Sequence, residues 1–316
     1  MKHSNEIVQE IQVLHKLGHS SREISKILFG TETKKSTVNY ILNRNENGVP
    51  RGEYNNPKGE PRILFLDFET LPSTAVVFGR FNLNLSPKHI IEEGNQLLSA
   101  AWCFLRDEEV SGVVMTPTEA ILRDDSRVLA SVYEVIQNAD IVVAQNGDRF
   151  DVPLFKTRCI VNNFPPVKKF KTVDTLKIAR QLKFDSNSLD SVASALGLGS
   201  KNSHSGIKLW VDCMNGEESA LAEMFEYNRQ DVRLLREVYL KLRAYDNRHP
   251  NVAMYYSDEN TRCPVCGSEN VHETGHSVYT QVSEFKEFAC GDCGHRSRSR
   301  VSINTKDKKK SLLMSQ

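Results

Sequence analysis

Two acidic side chains, Asp67 and Glu69, stand two residues apart at the end of a short apolar run. The run, residues 63–66, follows a turn-rich segment and predicts a buried strand, in which residues i and i+2 point to the same face. Neighbouring carboxylates repel each other unless one is protonated or a cation neutralises them. Mg²⁺ and Mn²⁺ prefer oxygen ligands, so D-x-E predicts a metal site. Taken alone, however, so common a tripeptide is better explained by a solvated acidic turn.

Four cysteines form two C-x-x-C-G knuckles, Cys263 with Cys266 and, after twenty-three intervening residues, Cys290 with Cys293. Four thiolates are the ligand set of a closed, tetrahedral structural Zn²⁺ site. The pattern predicts a zinc ribbon that holds one structural Zn²⁺, with strands over 277–282 and 285–289. Its role is either structural support and protein contact or, as the neighbouring basic residues favour, phosphate contact by Arg296, Arg298 and Arg300.

The charge distribution and the hydropathy of the chain indicate its binding partners and its cellular location. The 316 residues carry a net charge of only +1, yet the stretch 296–310 is strongly basic. That asymmetry predicts that the ends of the chain meet a polyanion. No apolar run has transmembrane length and no signal peptide is recognisable, so we expect a cytoplasmic protein of a bacterial or phage-infected cell, with no membrane partner.

Residues 5–44 have the apolar spacing of three short helices. The pattern G-H-S-S-R-E-I-S-K-I-L…S-T-V-N-Y-I-L resembles the helix-turn-helix of resolvases and small transcription factors. In that motif the last helix enters the major groove, which implies nucleic-acid contacts here by Lys34, Lys35, Thr37, Asn39 and Tyr40. The alternative is a helical module that packs on a partner protein. Residues 49–61, rich in proline and glycine, predict a linker.

The middle of the chain predicts an α/β domain. Strands are expected over 62–70, 97–105, 110–115 and 141–144, with a helix over 125–138 before the last of them. A β-β-β-α-β order is the start of a ribonuclease-H-like fold. Further helices are expected over 189–196 and 217–243, and residues 71–95 form an insertion or loop near the acidic pair.

Three more side chains could join that pair. Asp151 follows an Asn146–Gly147 turn and opens a helix, so its simplest role is an N-cap, and Asp148 is a rival carboxylate. Asp174 is most simply the cap of the next helix. Tyr227 and Asp231 lie four residues apart on one helix face, a spacing that by itself indicates nothing unusual.

In order along the chain, F-D-F-E-T, N-G-D-R-F-D-V-P-L-F and Y-N-R-Q-D resemble the three motifs of the DEDD 3′–5′ exonucleases, in the tyrosine-bearing (DEDDy) branch. The second is similar to the proofreading domains of family B DNA polymerases. The resemblance covers about residues 62–243, and this chain has no polymerase domain.

The resemblance implies the catalytic set Asp67, Glu69, Asp151, Tyr227 and Asp231, with two Mg²⁺ or Mn²⁺ ions. Asp67 is expected to bridge the ions, Glu69 and Asp231 to complete one shell, and Asp151 to hold the second ion. Tyr227 would orient the attacking water. Thr70, Leu71, Asn146 and Phe150 are expected to seat the terminal nucleotide.

We therefore predict an α/β fold, a ribonuclease-H-like mixed β-sheet flanked by helices. The predicted divisions are a helix-turn-helix domain (1–46), a linker (47–61), the exonuclease domain (62–246), a zinc ribbon (247–300) and a basic flexible tail (301–316). The predicted activity is a metal-dependent 3′–5′ exonuclease that releases mononucleotides, with DNA favoured over RNA. The alternatives are a transposase- or integrase-like nuclease, in which the same three modules co-occur, and a DNA-binding regulator with an inert nuclease fold.

Overall fold

The computed structural model describes residues 19–31, 59–79, 81, 84–199 and 206–314, together with positions 7, 10, 11, 13, 14, 17, 34, 35 and 38. Its central strands are β1 (Ile63–Thr70), β4 (Leu97–Phe104), β5 (Ser111–Val114), β6 (Ile141–Ala144) and β7 (Lys171–Asp174), and between β1 and β4 lie β2 (Thr74–Ala75) and β3 (Ile90–Glu92). The five central strands form one sheet in the order β5-β4-β1-β6-β7. The pairs β1–β4 and β4–β5 are antiparallel, whereas β1–β6 and β6–β7 are parallel. The predicted ribonuclease-H-like mixed sheet is confirmed.

Helices cover both faces of this sheet. The described helices of the whole chain, of which α1 and α9 lie outside the two apolar clusters of the sheet, are α1 (Ser21–Phe29), α2 (Pro117–Leu122), α3 (Ser126–Gln137), α4 (Asp151–Val161), α5 (Thr175–Ala179), α6 (Leu189–Ala195), α7 (Ile207–Met214), α8 (Glu218–Leu242) and α9 (Lys306–Ser311). Short 3₁₀ turns lie at Pro87–His89, Arg243–Tyr245 and Val252–Tyr255. Among the described helices, none is both long and apolar enough to cross a bilayer.

The side chains of β1 alternate between two apolar clusters, which explains why the strand is apolar on both faces. Leu64, Leu66 and Phe68 pack in one cluster, against α3, α7 and the first turns of α8. Ile63 and Phe65 pack in the other, against α5, α6 and the second half of α8. The odd-numbered side chains of β1, Asp67 and Glu69 included, therefore face the second half of α8.

Four features of the structure differ from the sequence prediction. β7 is a fifth strand where only the start of a helix was expected, and α7 was not anticipated. The segment 71–95 is not simply a loop, because β2 and β3 pair within it. The tail predicted to be flexible contains α9, capped by the Thr305 side chain.

The structure describes only part of the segment predicted to form a helix-turn-helix. The Ser20–Glu23 capping box of α1 is present, and Ile11, Ile24 and Val38 bury one another in a small cluster. Most of the first and third predicted helices, and residues 41–58, which include most of the predicted linker, lie outside the described residues. The helix-turn-helix and the domain boundaries stay predictions.

The C-terminal part forms a second sheet, of β8 (Val271–Tyr279), β9 (Glu284–Cys290) and β10 (Arg296–Arg298), in the order β10-β9-β8. β8 pairs antiparallel with β9; against the predicted strands over 277–282 and 285–289, the first begins and ends earlier, and the zinc ribbon stays a prediction. This C-terminal part contacts the end of the α8 region, where His295 Nδ1 lies 2.8 Å from the Ala244 carbonyl oxygen.

Candidate functional site

The acidic pair of β1 meets α8 at the centre of the sheet. Carboxylate oxygens of Asp67, Glu69 and Asp231 lie within 4.8 Å of one another. Asp67 and Glu69 lie on the part of β1 that extends past the end of its pairing with β6. β6 pairs with β1 only at residues 63–65, whereas β4 stays paired with β1 as far as Thr70. The acids therefore stand at the mouth of a cleft, where three like charges require a cation or shared protons.

Asp151 lies close to the β1 acids. It is not the N-cap of α4, because it is the first residue of that helix and Phe150 occupies the N-cap position. Its side chain is only 1% exposed and accepts a hydrogen bond from the backbone N–H of Phe68, between the two β1 acids. Its Oδ1 atom is buried and has no hydrogen-bond partner among the described residues. Burial, and secondarily the charge of Asp174, raise the pKa of Asp151.

The rival carboxylate is directed elsewhere. Asp148 pairs with Lys177 at 2.5 Å, away from the cluster. Asp174 caps α5, as predicted, by accepting from the Leu176 N–H, and it also accepts from the Asn146 N–H at 2.8 Å. The Asn146–Gly147 turn is confirmed. Asn146 has a φ of 59°, and a Cβ on Gly147 would come within 2.4 Å of the Ala144 Cβ, so only glycine fits.

Asn228 is a site residue that the sequence analysis missed. Its Nδ2 donates to Asp67 Oδ2 at 2.6 Å, and its Oδ1 accepts from the Ser99 hydroxyl at 2.9 Å. Both Asn228 and Ser99 are fully buried, so the amide has one orientation and Asp67 is held by it. The available signal was the spacing in Y-N-R-Q-D, since Asn228 and Asp231 are three residues apart on one helix face.

Tyr227 is half-buried at the start of the same motif. Its ring packs edge-on against Trp210 of α7, with the ring centroids 6.4 Å apart. Trp210 was not anticipated, because only the fold brings α7 alongside α8. The tyrosine side chain is thus braced laterally, one helical turn before Asp231.

The cleft next to the acids has a volume of about 410 Å³. It is lined by Asp67, Gln145, Asn146, Leu176, Arg180, Asn187, Ser188, Leu189 and Asp231. Of the four side chains expected to seat a nucleotide, Asn146 lines it. Thr70 is half-buried at the end of β1, and Phe150 is 38% exposed at the start of α4.

The position of Leu71 differs from the prediction that this residue helps to seat the terminal nucleotide. Its side chain is 1% exposed, in the core, and its backbone N–H and C=O are bonded to Gln96 and Asn95. The register shift between Glu69 and Thr70 lets the chain turn inward after β1. We therefore do not retain Leu71 as a nucleotide contact.

Both predicted metal sites have a fitting donor set. The acidic cluster offers only oxygen atoms, which suits Mg²⁺ or Mn²⁺, and Asp151, which accepts from the Phe68 N–H, has one buried oxygen without a partner among the described residues. The four cysteine sulfurs also cluster, with Cys263–Cys293 and Cys266–Cys290 Sγ separations of 3.6 Å. Tetrahedral Zn–S bonds place sulfurs about 3.8 Å apart, whereas a disulfide needs about 2 Å.

The residues predicted to contact nucleic acid outside the core are scattered. Lys35 pairs with Asp124 at 3.2 Å, and the Lys34 ammonium lies 5.0 Å from the Phe29 ring centroid. Thr37, Asn39 and Tyr40 lie outside the described residues. In the ribbon, Arg296 pairs with Glu287, Arg298 lies over the Phe285 ring, and Arg300 is exposed.

Comparisons with known proteins agree with this fold. Residues 92–243, slightly less than half of the chain, match the family model described as the RNase_H superfamily. The match begins after β1. Among curated protein sequences, none matches this chain significantly.

Among solved structures, the family B DNA polymerase of the hyperthermophilic archaeon Pyrobaculum calidifontis is similar, with a TM-score of 0.42 and 16% identity over 58% of this chain. The chain spans about a quarter of that polymerase, 25% of its length.

Replacing Asn228 tests whether Asp67 must be held in place. Asn228→Ala removes the amide that donates to Asp67 Oδ2, and loss of such a supporting hydrogen bond commonly lowers metal affinity about 10- to 100-fold. We expect that loss in a Mn²⁺ titration followed by electron paramagnetic resonance. Gln230→Ala on the same helix should leave the titration unchanged. Wild-type Mn²⁺ affinity in Asn228→Ala would show that Asp67 needs no such support.

Proposed function

We propose that this protein is a metal-dependent 3′–5′ exonuclease that hydrolyses the phosphodiester bonds of nucleic acid, with DNA favoured over RNA, and releases mononucleotides. The observation that carries the proposal is the convergence of Asp67, Glu69 and Asp231 within 4.8 Å, with buried Asp151 bonded to the backbone between two of them. The order of the three motifs supports the tyrosine-bearing branch, and the RNase_H superfamily match supports a nuclease.

In this proposal the carboxylates hold two divalent ions. Asp67, Glu69 and Asp231 are close enough to share one, and Asp151, whose buried Oδ1 has no hydrogen-bond partner among the described residues, would hold the other. When bound, such ions supply positive charge around the phosphate and activate water at neutral pH. One structural Zn²⁺ in the cysteine cluster would fix the C-terminal ribbon.

The protein's own side chains then supply orientation. Asn228 holds Asp67 from the side that faces Ser99, so that this ligand does not rotate when substrate arrives. Tyr227, braced by Trp210, would hold the attacking water by a hydrogen bond from its hydroxyl. Asn146, on the rim of the cleft, is placed to contact the terminal nucleotide.

The first prediction concerns the carboxylates. Asp67→Ala and Asp231→Ala should each lower hydrolysis by more than about a thousandfold, because metal stabilisation of the transition state is worth several kcal/mol. Asp231→Ala should keep or raise the melting temperature, since it relieves carboxylate repulsion, whereas in Asp67→Ala that gain is offset because the buried Asn228 amide loses its acceptor. Glu223→Ala, on the exposed face of the same helix, is the matched control. Full activity of Asp67→Ala would refute the metal assignment.

Polarity is tested with 5′-labelled strands. A single-stranded oligonucleotide should shorten from its 3′ end by one nucleotide at a time in Mg²⁺ or Mn²⁺, slow with a 3′-phosphate, and remain intact in EDTA. Circular single-stranded DNA should resist. Efficient cutting of circles would instead indicate an endonuclease of the transposase type, and no hydrolysis of DNA or RNA under any condition would indicate an inert fold.

The cysteine cluster has its own test. Cys263→Ser and Cys290→Ser should each release one zinc per chain and loosen residues beyond about 260, as measured by metal analysis and hydrogen exchange, while cleavage of short oligonucleotides persists. Cys159→Ser, a buried cysteine outside the cluster, should keep its zinc. Loss of short-substrate cleavage in a folded core would place the ribbon within the active site.

A further inference from the structure

A second cavity, of about 900 Å³, opens between α4 and the segment that leads into β7. Its lining carries five lysines, Lys156, Lys168, Lys169, Lys171 and Lys177, and we refer to it as the lysine groove. Lys168, Lys169 and Lys171 stand close together in the sequence V-K-K-F-K, and the fold adds Lys156 from α4 and Lys177 from α5.

The groove keeps an excess of positive charge after its ion pairs are counted. Lys168 pairs with Asp140 at 2.9 Å, and Lys177 pairs with Asp148. The other three lysines are exposed and have no carboxylate partner within the part of the chain that the structure describes. Five cations against two acids leave the lining three charges positive, in a chain whose total is only +1.

Aromatic rings lie among these cations. Phe170 and Tyr255, both half-buried, line the groove, and the Lys156 ammonium lies 5.8 Å from the Phe170 ring centroid. Cations that follow a groove and aromatic faces exposed within it are what single-stranded nucleic acid binds, because phosphates meet the charges and bases stack on the rings. An acidic polypeptide would use the charges but has little use for the rings.

The groove adjoins the carboxylate cleft. Asn146 and Leu176 line the cleft, while Asp148 and Lys177, one or two residues further along the chain, line the groove. The two cavities therefore flank the same turn after β6 and the same first turn of α5. A polymer whose end lies in the cleft therefore reaches the groove within a few of its own monomer units.

We propose that the lysine groove binds the sugar–phosphate backbone of a single nucleic-acid strand whose terminal nucleotide occupies the carboxylate cleft. The proposal rests on the proposed nuclease function for the place of that terminus. It adds to it a strand-binding surface on the catalytic domain itself, separate from the helix-turn-helix and the basic tail.

The test is binding of a fluorescent single-stranded oligonucleotide in EDTA, where no hydrolysis takes place. The variant is the triple substitution Lys156→Gln, Lys169→Gln and Lys171→Gln, and the charge-matched control is Lys208→Gln, Lys241→Gln and Lys286→Gln, which lies outside the groove. Each phosphate contact contributes about 0.7 to the slope of log affinity against log salt for a single strand. The groove variant should therefore lose about 2 from that slope, and the control should keep it.

Hydrolysis separates this proposal from the one it rests on. With Mg²⁺, the groove variant should raise KM for long strands while it keeps kcat and cleaves a dinucleotide, too short to reach the groove, at the wild-type rate. An unchanged salt slope and KM in the variant would overturn the groove, even if the wild type is an active nuclease. Wild-type binding that the variant loses, with no hydrolysis by either, would keep the groove and refute the nuclease.

Polyglutamate of matched charge distinguishes the partner class. It should bind the wild type more weakly than the oligonucleotide does, because it cannot use the aromatic rings. Equal affinity, lost equally in the groove variant, would assign the groove to acidic polypeptides and overturn the proposal.

Discussion

The structure depends on holding like charges together. Three carboxylates within 4.8 Å of one another, with a fourth buried beside the backbone that joins two of them, repel strongly in a partly dehydrated cleft. A loop would relieve such repulsion by moving. Here the acids are fixed to the central strand of a sheet and to a helix packed against it. The repulsion between them therefore persists until a cation binds and neutralises it.

The helix α8 is what makes that arrangement rigid. Met224, in its first half, is buried in one apolar cluster, and Val232, in its second half, is buried in the other. Because both halves are held, the turn between them cannot shift without disturbing the core on both faces of the sheet. That turn carries Tyr227, Asn228 and Asp231, the hydroxyl, amide and carboxylate of the site. One element therefore sets the positions of a proposed metal ligand, Asp231, of the amide that holds Asp67, and of the tyrosine proposed to hold water.

Much of this arrangement follows from sequence periodicity. The two-residue period of β1 and the three- and four-residue spacings of α8 are local properties, so the shared face of Asp67 and Glu69 and the inward side of α8 could be predicted. The contacts of Asn228 with Asp67 and Ser99 could not be predicted, because they depend on the packing of α8 against β1 and β4. Leu71 was placed wrongly because a register shift, invisible in the residue types, turns the chain into the core. β7 was missed because K-T-V-D offers a single apolar residue, and the lysine groove depends on packing between distant segments.

The central claim is that these carboxylates are a divalent-metal site. Anomalous diffraction from crystals soaked in Mn²⁺, recorded near the manganese absorption edge, tests it without any assumption about substrate. We predict an anomalous peak in contact with Asp67, Glu69 and Asp231, and its loss in crystals of Asp67→Ala. Manganese bound elsewhere, with the four carboxylates unoccupied at saturating Mn²⁺, would contradict the claim.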